Sequence, residues 1–268
     1  MNIPTHVTTG PASRKTPLAC GLILWGLLCA ISCEAAEPER SLFDDTKLYF
    51  TAPLRWETQD WAGFAGTVFA IGIAHEFDSS VRNAFTSPAQ ALDGQDPNST
   101  RDAIPALALL AGTWAFGALS HEKTGSHEAW NMAEAVGFSA VDTVLLKYIG
   151  GRRRPNETTS PDEWFQGGDS FPSLHVSAAF AIGTVFAESG DDEHRGWRRT
   201  IGYGIAGATA YTRLNDNVHW FSDVVAGAAI GMATARFVMH RDEGTTRHSG
   251  FSVVPVDGGA MLTYWREP

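Results

Sequence analysis

The sequence predicts an all-α protein, a helical bundle of about six helices followed by a short C-terminal β-hairpin. Alanine- and glycine-rich apolar stretches alternate with polar connections that carry proline or glycine, which is how a bundle is punctuated. In the last long stretch, Phe221, Val224, Val225, Ala228, Met232, Ala235 and Met239 recur at three- and four-residue intervals and form one helical stripe. The tail then changes character: Ser252–Val256 and Met261–Trp265 are β-prone runs on either side of Asp257-Gly258-Gly259, a turn signal.

The chain has 268 residues, enough for one sizeable domain once a targeting segment is subtracted. Arg14 and Lys15 precede an uncharged apolar run, Leu18–Ile31, and then Cys33-Glu34-Ala35, a small-x-small cleavage signal. Residues 1–35 are therefore expected to be a secretory signal peptide, cut after Ala35 or Ala36; the run is short for a membrane span of about 20 residues. Cys20, Cys29 and Cys33 all fall within it, so a chain cleaved there carries no thiol into an oxidising compartment. Lipidation at Cys33 is a minor alternative, because Ala30-Ile31-Ser32-Cys33 lacks the usual leucine three residues earlier. The formal charge is −10, and losing two cations and one anion with the leader leaves −11. An acidic chain excludes a general nucleic-acid role.

Residues 36–249 form the expected helical domain and 250–268 the hairpin tail. Helices are expected over 58–75, 103–119, 129–149, 174–189, 197–211 and 220–240. Residues 79–102, with Ser87-Pro88 and Asp93–Asn98, read as a loop with one short helix. Gly227 and Gly231 are small enough to let a neighbouring helix approach. Gly202-Tyr203-Gly204-Ile205-Ala206-Gly207 satisfies a dinucleotide-binding pattern, but it follows Trp197–Thr200 within a helix and reads as packing glycines. Most apolar runs are short or interrupted for spans, mean hydropathy is −0.12, and Glu134, Asp142 and Glu188 would be costly facing lipid. A periplasmic domain, soluble or membrane-associated, is favoured; an integral inner-membrane protein with a periplasm-facing site is the alternative.

The chemistry lies in three pieces: Lys147 with Arg154-Pro155; Phe171-Pro172-Ser173-Leu174-His175; and Thr212-Arg213, His219 and Asp223. A histidine nitrogen can displace a phosphate ester only if fixed cations and donors absorb the charge on the non-bridging oxygens. Lys147, Arg154 and Arg213 supply the cations, and Ser173 a hydroxyl. His219 and Asp223, four apart, share a face if they lie on a helix, so the carboxylate can take the Nδ1 proton and leave Nε2 free to attack. His175, at a helix start, suits protonation of the leaving oxygen. Taken singly the residues have blander readings: a helix ion pair or partial metal site for His219 and Asp223, a snorkelling lysine, a surface arginine, a helix-capping serine. Arg152-Arg153-Arg154 is either an anion site or a solvated helix end. Trp164 and Phe165 either line an entrance or anchor their loop. His75, His121, His127, His194, His240 and His248 read as loop or helix-end histidines.

Together, in this order and spacing, the three pieces resemble the signature of the type 2 phosphatidic acid phosphatase superfamily, which includes bacterial acid phosphatases and vanadium haloperoxidases. The resemblance spans residues 147–223 and is to a family of α-helical bundles. It implies one pocket formed by Lys147, Arg154, Ser173, Leu174, Arg213, His219, His175 and Asp223, with no metal or other cofactor needed for hydrolysis. Leu174 stands where the family usually has glycine, whose N–H is a phosphate donor; that contact survives if φ is negative. Thr212 replaces the usual serine and keeps the hydroxyl. The expected function is a metal-independent phosphatase of the bacterial envelope, acting on a phosphomonoester or a lipid-linked phosphate via phosphohistidine. Its expected partners are a phosphorylated small molecule or lipid head group and a membrane surface. The alternatives are a vanadium-dependent haloperoxidase, a phosphotransferase, or a non-catalytic envelope protein with a relic pocket, the last motivated by Leu174.

Overall fold

The computed structural model describes residues 42–86, 92, 94, 99–120, 123–190, 192–241, 249–256 and 259–266. The leader with its cysteines and cleavage points, Ser87-Pro88, His121, Asp257-Gly258 and His248 lie outside the described residues. Eight α-helices form among those described: α1 Leu42–Thr51, α2 Thr58–Glu76, α3 Asp78–Phe85, α4 Ser99–Ser120, α5 Lys123–Gly150, α6 Leu174–Glu188, α7 Arg195–Asn215 and α8 Phe221–His240. Six of these are the expected helices, α4, α5 and α7 running five to seven residues longer than expected, and α3 is the short helix of the connecting segment. The C-terminal β-hairpin expected at the tail is not supported as part of this fold, which is the helical bundle.

Helix α1 is not among the expected elements. It has no apolar stripe, and its buried residue is Asp45. Tertiary contacts hold it instead: Tyr49 stacks on Phe138 at 4.4 Å between ring centres and meets Phe237 edge-on at 4.9 Å, while Asp45 lies 3.4 Å from Arg241. Such contacts leave no local periodicity to read.

Helix α6 lies at the centre, packed against α5, α7 and α8, and is buried almost all round. Close approach depends on glycine. Where α6 crosses α7, a Cβ on Gly183 would stand 2.6 Å from the Gly202 carbonyl oxygen, and one on Gly202 would stand 2.4 Å from that of Gly183. Gly202 is therefore a packing glycine as expected, but Gly204 and Gly207 face open space. On α8, a Cβ at Gly227 would lie 2.6 Å from the Ser173 oxygen, and one at Gly231 only 2.2 Å from that of Ser177. We expect Gly231→Ala to destabilise the fold by about 3 kcal/mol, because backbone rather than a flexible side chain must move. Gly204→Ala is the control and should be neutral or slightly stabilising; unfolding midpoints compare the two.

The buried face of α8 differs from the expected stripe. Val224 and Ala235 of that stripe are buried, together with Ser222, Asp223, Ala226, Gly227, Gly231, Thr234 and Val238, while Phe221, Val225, Ala228, Met232 and Met239 are only partly so. Tight crossing selects small and polar residues for the interior and leaves the larger apolar ones outside. The same inversion extends to α2, where Trp61, Phe64, Val68, Phe69 and Ile73 are exposed, and to α5, where Val141, Val144, Leu145, Tyr148 and Ile149 are exposed. Glu134 and Asp142 have protein partners instead: Glu134 pairs with Arg241, and Asp142 accepts a hydrogen bond from Tyr49. Glu188 pairs with Arg199 at 2.6 Å.

Candidate active site

Lys147 lies in the last turn of α5. Beyond that helix Gly151 turns the chain with φ +50°, and the following loop doubles back along residues 150–153. Phe165 donates to Gly150 O at 2.8 Å, Gly168 to Gly151 O at 3.0 Å, and Ser170 to Arg152 O at 3.0 Å. Gly168 is obligatory in this return, since a Cβ there would sit 2.2 Å from Arg152 O. The doubling brings Asp169-Ser170 against the end of α5. Lys147 Nζ donates to the carbonyls of Asp169 and Ser170, and Arg154 grips the Asp169 carboxylate through Nε at 2.7 Å and Nη2 at 3.0 Å.

Helix α7 positions the third cation. It ends in a Schellman turn: Asn217, at φ +54°, donates to Leu214 O at 3.0 Å, and Val218 donates to Arg213 O at 3.3 Å. This closure ties Arg213, one turn from the helix end, to the residue before His219. Arg213 is fully buried and donates to Asp102 Oδ2 of α4 at 2.8 Å. From the other side Arg154 Nη1 reaches Val218 O at 3.4 Å.

His219 is not on a helix. Trp220 is the N-cap of α8, in extended conformation, so His219 stands in the preceding turn and the expected shared helical face does not exist. Asp223 reaches back over the helix start, its Oδ2 accepting from Trp220 N at 2.9 Å and from Ser170 Oγ at 2.5 Å. His219 Nδ1 lies 3.6 Å from the same oxygen, outside hydrogen-bonding range. The pairing thus arises from a capping carboxylate, not from helical spacing.

The first turn of α6 completes the site. Ser173 N donates to Asp223 O at 3.1 Å, which pins the start of α6 to the start of α8. Ser173 occupies the N-cap, yet its hydroxyl makes no cap hydrogen bond and its buried Oγ has no partner among the described residues. Leu174 opens the helix and is not among the residues with positive φ, so its N–H points as a helix-start donor does. His175 follows in the same turn, partly buried.

The site's charges bear on one another. Burial above all pushes the His219 imidazole down to about 3, against the pull of Asp223, and the nearby charges of Arg154, Lys147 and Arg213 push the same way. His219 is thus neutral at neutral pH. Burial, with Arg154 beside it, also lowers the Lys147 ammonium to about 8. Burial alone would raise the Asp169 carboxyl, but Arg154 and Lys147 outweigh it and hold it below the carboxylate range.

Behind these groups lies a buried ion network that the sequence reading does not assign. Arg152, fully buried, donates to Asp223 Oδ1 at 2.6 Å and to Asp78 Oδ2 at 2.6 Å. Asp78 also receives Ser222 N and Oγ, each at 2.7 Å, and His75 Nδ1 lies 2.9 Å from it. His75 Nε2 lies 2.9 Å from Asp162 of the loop. The three successive arginines thus divide. Arg152 is neither an anion site nor solvated, Arg153 pairs with Glu163 at 3.1 Å, and Arg154 turns to Asp169. His75 is a helix-end histidine as expected, but one tied into this network. Trp164 covers the Arg152 guanidinium at 4.5 Å and packs on Phe171, so it anchors the loop, whereas Phe165 is 78% exposed.

Residues 128–247 match the model of the PAP2 superfamily, a stretch that contains Lys147, Arg154, Ser173, His175, Arg213, His219 and Asp223. By that stretch, 120 of its 268 residues, the chain is similar to the PAP2 superfamily. The lipid A 1-phosphatase of Porphyromonas gingivalis is 33% identical over 114 residues, which is 40% of this chain and 23% of the length of that relative. The crystal structure of Aquifex aeolicus LpxE superposes with a TM-score of 0.39 at 21% identity, over 55% of this chain and 88% of that one. The crystal structure of the first transmembrane PAP2 type phosphatidylglycerolphosphate phosphatase from Bacillus subtilis gives 0.40 at 19% identity, over 87% and 98%. Both scores are low, and the reading of the PAP2 site rests instead on the sequence match and the geometry. His75, Asp78 and Asp102 precede the matched stretch, so the PAP2 pattern does not contain them.

Proposed function

We propose that the chain is a metal-independent phosphatase of the bacterial cell envelope, hydrolysing a phosphomonoester or lipid-linked phosphate through a phosphohistidine on His219. The observation that carries this reading is a neutral, buried imidazole whose Nδ1 faces a capping carboxylate while Lys147, Arg154 and Arg213 act on it together. Neutral imidazole has the lone pair a nucleophile needs, and the three cations are what a phosphate's oxygens require. The partnerless Ser173 hydroxyl supports a donor role toward substrate over a capping one.

In the proposed reaction His219 Nε2 attacks phosphorus and the P–O ester bond breaks, its electron pair going to the leaving oxygen, which takes a proton from His175. Asp223 draws closer to Nδ1 and stabilises the charge that develops on the ring; catalytic hydrogen bonds are commonly long before substrate binds. Water, deprotonated by His175, then attacks the phosphohistidine and releases phosphate. Lys147, Arg154, Arg213, Ser173 Oγ and Leu174 N–H hold the oxygens throughout. Because Leu174 keeps an ordinary helical start, the departure that motivates a relic pocket loses its force.

A lipid phosphate is the favoured substrate class. The Porphyromonas relative is named for the 1-phosphate of lipid A, and the exposed apolar residues of α2 and α5 suit a lipid surface, since Glu134 is ion-paired and Asp142 hydrogen-bonded within the protein. Phe221–His240, half buried within the protein, is long and apolar enough to cross a membrane. Export through the leader expected over residues 1–35 would put the site outside the cytoplasm. The tail carries no part of this proposal.

The test is phosphate release from lipid A, phosphatidate, phosphatidylglycerol phosphate, undecaprenyl pyrophosphate and soluble monoesters, with chelator present. Release from none of them would end the reading. The pH dependence adds a signature. Lys147 is charged below about 8 and loses its proton as pH rises through that value, so kcat/KM should fall on the alkaline side from there. Arginine at 147 stays charged, and Lys147→Arg should move this limb upward by more than about one pH unit. A limb that stays in place belongs to another group.

A further inference from the structure

The proposed reaction has no use for Asp169. Its carboxylate lies along the Nε/Nη2 edge of Arg154 at 2.7 and 3.0 Å, the two-oxygen geometry by which a guanidinium holds phosphate. The Asp169 side chain is 64% exposed and that of Arg154 only 17%, so the carboxylate has solvent to turn into while the cation does not. Lys147 is held to the same residue through its backbone carbonyl, a contact indifferent to the side chain.

Resting on the phosphatase reading above, we propose that Asp169 is an internal competitor for phosphate. Its carboxylate occupies the Arg154 fork before substrate arrives and is exchanged for two phosphate oxygens on binding. A ligand that offers only a phosphate must displace it with that group alone, so inorganic phosphate, the product, is held weakly and leaves readily. A substrate with further contacts, such as a lipid, tolerates the competition better. Asp169 is on this view a specificity-determining residue, not a catalytic one.

The experiment titrates the full chain, in detergent, with vanadate and with inorganic phosphate. We expect Asp169→Asn to tighten both by about five- to tenfold, while Asp169→Glu, which keeps the competing charge, stays within about twofold of wild type. Asp169→Ser serves as a second charge-removing variant should the asparagine protein fail to fold. Unchanged or weaker binding in the neutral variants, with wild type binding normally, overturns the inference alone, since Asp169 would then be holding Arg154 in place for phosphate. Failure of wild type to bind either anion overturns the phosphatase reading, and this inference with it.

Discussion

His219→Ala should lower phosphate turnover by at least about 10³-fold, with little change in the unfolding midpoint. The imidazole is buried and neutral, and its Nδ1 lies beyond hydrogen-bonding distance of Asp223, so its removal forfeits no strong bond in the resting protein. What is lost is the proposed nucleophile. Rapid quenching of the wild-type chain with labelled substrate should trap an acid-labile, base-stable phosphoenzyme that the variant does not form. His175→Ala should behave differently. A proton donor typically contributes about 10²–10⁴ in rate, and the loss should shrink for a nitrophenyl ester, whose leaving group needs no proton. If His219→Ala turned over normally, or both variants showed one leaving-group dependence, the assigned roles would be wrong.

Arg152→Ala should be the most destabilising single substitution in the neighbourhood, by about 3–5 kcal/mol. Arg152, Asp78 and Asp223 are all fully buried, and the guanidinium is the counter-charge to both carboxylates. Removing it strands two negative charges in a low-dielectric interior, which costs far more than a surface pair would. Chemical denaturation with and without Asp78→Asn gives the check: the asparagine should recover part of the loss in the Arg152→Ala background and cost stability on its own. Additive effects would mean that the two residues do not act on each other.

The helices that depend on composition and length were legible in the sequence; the helix held by Tyr49 and Asp45 was not, because rings and charges distant in the chain hold it. The site divides in the same way. Its three pieces are close enough in sequence to show as spaced motifs, and the doubled-back loop and the Schellman turn bring the first and third to a shared place. His219 and Asp223 do lie near each other, but not on a shared helical face, since both sit where a helix begins and a capping carboxylate can reach backward. Arg152 was hidden by its neighbours: three adjacent arginines look alike, and the first is distinguished by Asp78 and Asp223, 74 and 71 positions away. Asp102, 111 positions from Arg213, left no more trace.

One of the two carboxylates that hold Arg152, Asp78, and the carboxylate to which Arg213 donates, Asp102, come from α3 and α4, upstream of the stretch that carries the PAP2 pattern. The recognisable sequence and the cooperative physical unit therefore have different boundaries. Excised alone, residues 128–247 would keep every proposed reacting group, but would lose Asp102 beside Arg213 and one of the two carboxylates that keep the Arg152 guanidinium dry. Heredity can mark the chemistry of such a protein in one compact interval while part of its dielectric balance is drawn from outside it.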